Sequence, residues 1–202
     1  MKHLILSGMM LLVALTLNAQ NTITLHSEEN TEEKTEEQIW LEIRENVYQS
    51  SSIVKNGDSA PNFKTYTLDG KEIQLSDFKG KVVHISFWGT WCGPCLKELK
   101  QENLPSVIKP FMENPDYIYL PIAQDHCDKL IQFFESEKGQ SYSWMKDITV
   151  VDGERDIFHI FATKSIPRNI IIDRDGKVAA TSIGSNDYEL KLIESTLEKL
   201  LN

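Results

Sequence analysis

KVVHISFWGTWCGPC, residues 81–95, decides the fold. Its first half, Lys81–Trp88, is a run of β-branched and aromatic residues suited to a strand buried on both faces. Its second half predicts a helix from about Pro94 to Asn103. Pro94 fits the first helical position because the N–H it lacks would be unpaired there anyway. Two thiols thus sit three residues apart at a strand-to-helix junction, on one face of the first helical turn.

The pattern outward from this junction is regular. Asp69-Gly70 marks a hairpin turn and Lys79-Gly80 closes a loop. Tyr117–Ala123 reads as a second strand, with Pro121 suggesting its end or a bulge. Asp128–Glu137 is helical, with Leu130, Ile131, Phe133 and Phe134 on its apolar side. Glu154–Ala162 reads as a short helix and Asn169–Asp173 as a strand. A turn at Asp175-Gly176 leads to an antiparallel partner at Lys177–Ile183, and Tyr188–Leu201 closes as an amphipathic helix. Alternating strands and helices followed by a hairpin and a helix indicate an α/β layered domain with a mixed sheet.

The N-terminus has a different character. Lys2, the apolar run Leu4–Leu17 and the small residue Ala19 read as a secretory signal peptide over residues 1–19. The run is short of the ~20 residues of a spanning helix, so cleavage and no stable membrane insertion are expected. Residues 20–56 form an acidic linker and a short helix. EENTEEKTEE (28–37) has no apolar residue to bury, whereas Ile39, Trp40, Ile43 and Val47 recur at helical spacing and predict a stripe that packs on the main domain. That domain is assigned to residues 57–202.

Composition excludes other classes. At 202 residues, 41% hydrophobic and 25% charged, the chain is an ordinary globular protein, long enough for a core without disulfide staples. A net charge of −9 leaves no overall basic surface to track phosphates, so nucleic acid is not an expected partner. With three cysteines in all, no disulfide framework is expected.

The Cys92/Cys95 spacing suits reversible two-electron exchange. Cys92, near the unpaired N–H groups of a helix start, would be the thiolate that attacks. Cys95, one turn in and more buried, would resolve the mixed disulfide. Trp91 would flank the sulfurs. Half a zinc site is the competing reading, but zinc takes about four ligands and only Cys127 remains. Cys127 itself reads as buried and inert, His84 as a packed polar residue of the strand, and His126 and His159 as isolated.

WGTWCGPC (88–95) resembles thioredoxin. GDSAPNF (57–63), LSDFKGK (75–81), FWGTWCGPC (87–95) and IPRNIIIDRDGKV (166–178), in that order, resemble the TlpA/ResA-like branch of exported thiol-disulfide oxidoreductases. The resemblance implies a thioredoxin fold, no cofactor beyond the Cys92–Cys95 couple, protein disulfides or thiols as substrates, electrons from a membrane donor and a periplasmic or other extracytoplasmic location. By position, Pro167 matches the family's cis-proline and Ile166 the backbone edge on which a substrate strand pairs. Glu98 matches the acidic residue beneath the disulfide in ResA-like members, as either a proton relay to Cys95 or a plain surface glutamate. Gly93-Pro94 matches the low-potential pattern and so a reductase.

Two positions depart from the pattern. Ser86 stands where thioredoxin has a buried aspartate, so Glu98 or water must accept the resolving thiol's proton. Arg168 follows the cis-proline in place of a small residue, expected to lower the Cys92 pKa, select acidic substrates or pair with a surface carboxylate. Two other functions remain open. A copper metallochaperone would use soft thiolates for Cu(I), though such carriers have three residues between their cysteines. A peroxiredoxin-type peroxidase expects Thr three before its Cys, whereas Thr90 is two before Cys92.

Overall fold

A computed structural model describes residues 34–202. The expected leader and the acidic stretch as far as residue 33 lie outside them. The elements in chain order are α1 (Glu36–Ser51), β1 (Lys64–Tyr66), β2 (Glu72–Gln74), β3 (Val82–Trp88), α2 (Gly93–Glu98), α3 (Leu104–Ile108) and β4 (Tyr117–Ala123). They continue with α4 (Cys127–Glu135), α5 (Glu137–Gln140), β5 (Val150–Val151), α6 (Asp156–Phe161), β6 (Arg168–Ile172), β7 (Val178–Ile183) and α7 (Asp187–Leu201).

β3 is the axis of a five-stranded mixed sheet ordered β5-β4-β3-β6-β7, parallel to β4 and antiparallel to β6. All seven of its residues are buried, as its composition requires. Alternation splits them between two cores. Val83, Ile85 and Phe87 join Ile170, Ile172 and the α6 side chains Phe158 and Phe161, with the Phe87 ring 5.3 Å from Phe158. Val82 and Trp88 face the other way, into Leu96 and Leu99, Leu130 of α4, and Ile193 and Leu197 of α7. Each such fully buried side chain contributes about 1.5–3 kcal/mol, so the two layers fix β3 and whatever follows it. Thr67 to Lys71 turns β1 back onto β2, a separate two-stranded hairpin, with Gly70 at φ +85° supplying the left-handed step.

Several boundaries differ from expectation. The helix after the cysteines ends at Glu98, because the chain turns at Leu99 and Asn103 Nδ2 donates to the Lys97 carbonyl at 2.7 Å. The helix restarts as α3 with Pro105 in its first turn. The next expected helix breaks at Ser136, which leaves α4 in extended backbone and caps α5 by accepting from Gly139 N–H. Pro121 lies inside β4, not at its end. β5 pairs only with Ile122 and Ala123, so β4's outer edge is open there, a position where a sheet tolerates a residue without an N–H.

The largest correction concerns α1. Ile39 and Ile43 of the expected stripe are 45% and 56% exposed. Trp40 of that stripe does pack, and Arg44, Tyr48 and Ser51 make up the rest of the packed face. Trp40 lies 4.8 Å from the Tyr188 ring, and Arg44 Nε donates to buried Glu189 at 2.7 Å while its Nη2 reaches the Thr181 carbonyl. Polar bonds to α7 and β7, not an apolar stripe, select the face.

Candidate active site

β3 delivers the chain to the site and Asp125 holds it there. Asp125, 4% exposed, accepts from the backbone N–H and the hydroxyl of Thr90, both at 2.8 Å. The loop before Cys92 is thereby pinned to the end of β4. Trp91, 56% exposed, lays its ring over Gly89, where a Cβ would come within 2.9 Å of the indole. Cys92 is the N-cap of α2, and Pro94 opens the helix as expected.

Cys92 and Cys95 are joined in a disulfide. Cys92 Sγ accepts the Cys95 backbone N–H at 3.2 Å. The two sulfurs differ in access, Cys92 being 6% exposed and Cys95 fully enclosed. Ile166 and Pro167 are brought to this pair. Their peptide bond is cis, and the Ile166 carbonyl oxygen lies 3.9 Å from Cys92 Sγ. Gly93 has nothing within 4 Å of the position a Cβ would take, so the backbone beside Cys92 is open to an incoming chain.

Glu98 is not a surface residue. It is 1% exposed, its Oε1 accepts from Asn169 Nδ2 at 2.9 Å, and its Oε2 is buried without a partner. Burial pushes its pKa up to about 8, against the lowering effect of the Asn169 bond. The chain of bonds continues. Asn169 Oδ1 faces His84 Nε2 at 3.0 Å, and His84 Nδ1 faces the Tyr117 hydroxyl at 2.9 Å. Burial holds His84 neutral, with its pKa down to about 4. A neutral imidazole must donate from Nε2 to the amide oxygen and accept at Nδ1 from Tyr117. Three bonds thus point the same way and end on Glu98.

Arg168 corrects the sequence reading. It is fully buried and donates to Ser52 Oγ at 2.9 Å, Ser51 Oγ at 2.6 Å and the carbonyls of Lys164 and Ser165. Among the described residues it pairs with no carboxylate, and its burial keeps it from the surface beside Cys92. Burial brings its pKa down to about 10. The residues that sequence reasoning missed are Asp125 and Asn169. A signal for the second existed: His84 and Ser86, two apart in an otherwise apolar strand, announce a polar column on one face. Cys127, expected buried, is half-buried at the start of α4. Ser86 is fully buried, with its hydroxyl unpartnered. Among the described residues no three of His, Cys, Asp and Glu converge as metal ligands.

Residues 55–201 match the Redoxin family. Thiol-disulfide oxidoreductase ResA of Bacillus thuringiensis (strain Al Hakam) is 33% identical over 144 residues, covering 71% of this chain and 78% of that protein. The chain is a redoxin-family thiol-disulfide oxidoreductase. Thiol-disulfide oxidoreductase ResA of Bacillus subtilis (strain 168) is similar at 29% identity, over 69% of this oxidoreductase and 73% of its own length. The solution structure of a candidate protein disulfide isomerase from Bacteroides thetaiotaomicron superposes with a TM-score of 0.64 at 30% identity, covering 75% of this chain and 92% of that one. The oxidoreductase therefore has the thioredoxin fold that its sequence resembles. No helix among its described residues is long and apolar enough to cross a membrane.

Proposed function

We propose that the protein is an exported reductase of protein disulfides. The observation that carries this reading is Cys92 Sγ at the mouth of α2, hydrogen-bonded by the Cys95 N–H, with Cys95 enclosed behind it. In the reduced protein that N–H stabilises a Cys92 thiolate. The thiolate attacks one sulfur of a client disulfide, forming a mixed disulfide and releasing the other sulfur as a thiolate. Cys95 then loses its proton and attacks Cys92 Sγ. The second client thiolate leaves, and the Cys92–Cys95 disulfide forms. Two electrons pass to the client, and a dithiol donor at the membrane restores the pair.

Glu98 is the proton acceptor for Cys95. It lies three residues on, on the same face of α2, and with a pKa near 8 it can hold or yield a proton at neutral pH. The Ile166 backbone edge pairs with the client strand, beside Trp91, Gly93, Pro94 and Pro167. No cofactor beyond the cysteine pair is needed, and the leader at residues 1–19 directs the chain out of the cytoplasm.

The test is the reduction potential of the Cys92/Cys95 pair in the Cys127→Ser protein, equilibrated in thiol buffers and followed by tryptophan fluorescence. A value near thioredoxin's ~−270 mV is expected. A value near ~−120 mV makes the enzyme a disulfide former, and the absence of any reversible transition overturns the redox reading.

A further inference from the structure

Beside Trp91, on the flank formed by α4 and the loop before α6, is an open cleft of about 310 Å³. Among the described residues, Trp91 is the only apolar side chain that lines it. Lys129 of α4 and Arg155 bring two cations to its walls, and the Arg155 guanidinium sits 5.4 Å over the Trp91 ring. Arg155 reaches that place from a left-handed backbone, φ +63°, which a non-glycine residue adopts at a cost of about 1–2 kcal/mol.

The other groups offset this charge only in part. Asp125 is the one carboxylate among the described residues that lines the cleft, and both its oxygens accept from Thr90, so two cations face a single anion. His126, also lining it, lies 3.7 Å from Glu154, which is outside it. Asp128, exposed in the first turn of α4, does not line it. Two donors remain open. No side chain caps the nine-residue α4, whose start carries His126 and Lys129 into the cleft. Gln124 lines the cleft at 6% exposure, and its amide Nε2 is buried with no partner. A buried amide donor beside two cations and a helix start is a set of groups that takes an oxyanion.

We infer that this cleft is a specificity subsite for a carboxylate side chain, Asp or Glu, of the client polypeptide near its reactive cysteine. The inference rests on the reductase reading. The occupant is a piece of the client because Trp91 forms one wall of the cleft and is bonded in sequence to Cys92, so a chain held at Cys92 passes this wall. Lys129 and Arg155 bind the carboxylate, Gln124 donates to it, and Trp91 covers its methylene stem.

The test uses the full chain carrying Cys127→Ser, reduced, with two synthetic peptides that each contain one internal disulfide. The peptides are identical except that glutamates flank a half-cystine in one and glutamines in the other. With Lys129 and Arg155 in place, the Cys127→Ser protein should reduce the glutamate peptide with about tenfold higher kcat/KM at low salt, a preference that shrinks at 0.5 M NaCl. In the Lys129→Gln, Arg155→Asn double variant the ratio between the peptides should fall to about one; asparagine is chosen because it tolerates the left-handed backbone. Equal rates for the two peptides with the Cys127→Ser protein, or an unchanged ratio in the double variant made on it, overturn the subsite while leaving the reductase intact. Reduction of neither peptide removes the reductase reading, and the subsite with it.

Discussion

Asn169 Nδ2 donates to Glu98 Oε1 across the interface between β6 and α2, and its other face is held by His84. The residue two beyond the cis-proline therefore touches the acid one turn beyond Cys95, linking the proposed client-binding edge to the proposed proton acceptor through a single amide.

Asn169→Leu should raise the Glu98 pKa further, since the bond it removes is what opposes burial there. The limb of the pH–rate profile that reports Glu98 moves to higher pH, and stability falls by about 1–3 kcal/mol because the His84 Nε2–H loses its acceptor. A profile that stays in place while stability drops would make Asn169 a purely structural residue.

Glu98 also gives the disulfide form a distinctive pH dependence. Its folded pKa, about 8, is above the ordinary 4.5, so the unfolded chain binds fewer protons and stability falls as pH rises between those values. His84 works in the opposite sense. Its folded pKa near 4 is below 6.5, so stability rises with pH up to 6.5. The two slopes oppose each other from 4.5 to 6.5, and Glu98 acts alone of the two from 6.5 to 8. Over that upper window the oxidised protein should lose about 2 kcal/mol. Urea unfolding at pH 6.5 and 8 checks this, and Glu98→Gln should flatten the difference.

Gly139→Ala should cost several kcal/mol. A Cβ at this position would stand 1.7 Å from the backbone oxygen of Phe133, which cannot move without unwinding the end of α4. The expected readout is a thermal midpoint lowered by ten degrees or more, for a variant whose helix propensity has improved. An unchanged midpoint would show that α5 is free to slide away from α4.

What could be read in the sequence and what could not divides by the distance over which the deciding contacts act. The strand Val82–Trp88, the cysteine pair and the turns at Gly70 and Gly176 follow from neighbours in the chain. Arg168 does not: nothing beside it in sequence says that its partners are Ser51 and Ser52, 117 and 116 residues away. The face of α1 is only half legible for the same reason: Trp40 packs as its spacing predicts, but Arg44 finds Glu189 145 residues on. Glu98 lay between the two cases. Its spacing from Cys95 was visible, but its burial depends on the sheet that Asn169 brings beneath it.

The anchoring of Arg168 changes what counts as the minimal unit of this enzyme. Its guanidinium is stored inside the protein, without a carboxylate, on hydroxyls that belong to the last turn of α1 and the residue after it. A shortened chain beginning at Gly57 would keep every residue around the cysteines and still strand a cation in the interior, one residue from the proline that lies beside the sulfurs. Helix α1 is thus a stopper for the start of β6 rather than a tether in front of the domain. Purification tags and reporter fusions belong upstream of residue 34 or after Asn202, and a preparation trimmed to residues 57–202 would fail for reasons unrelated to its thiols.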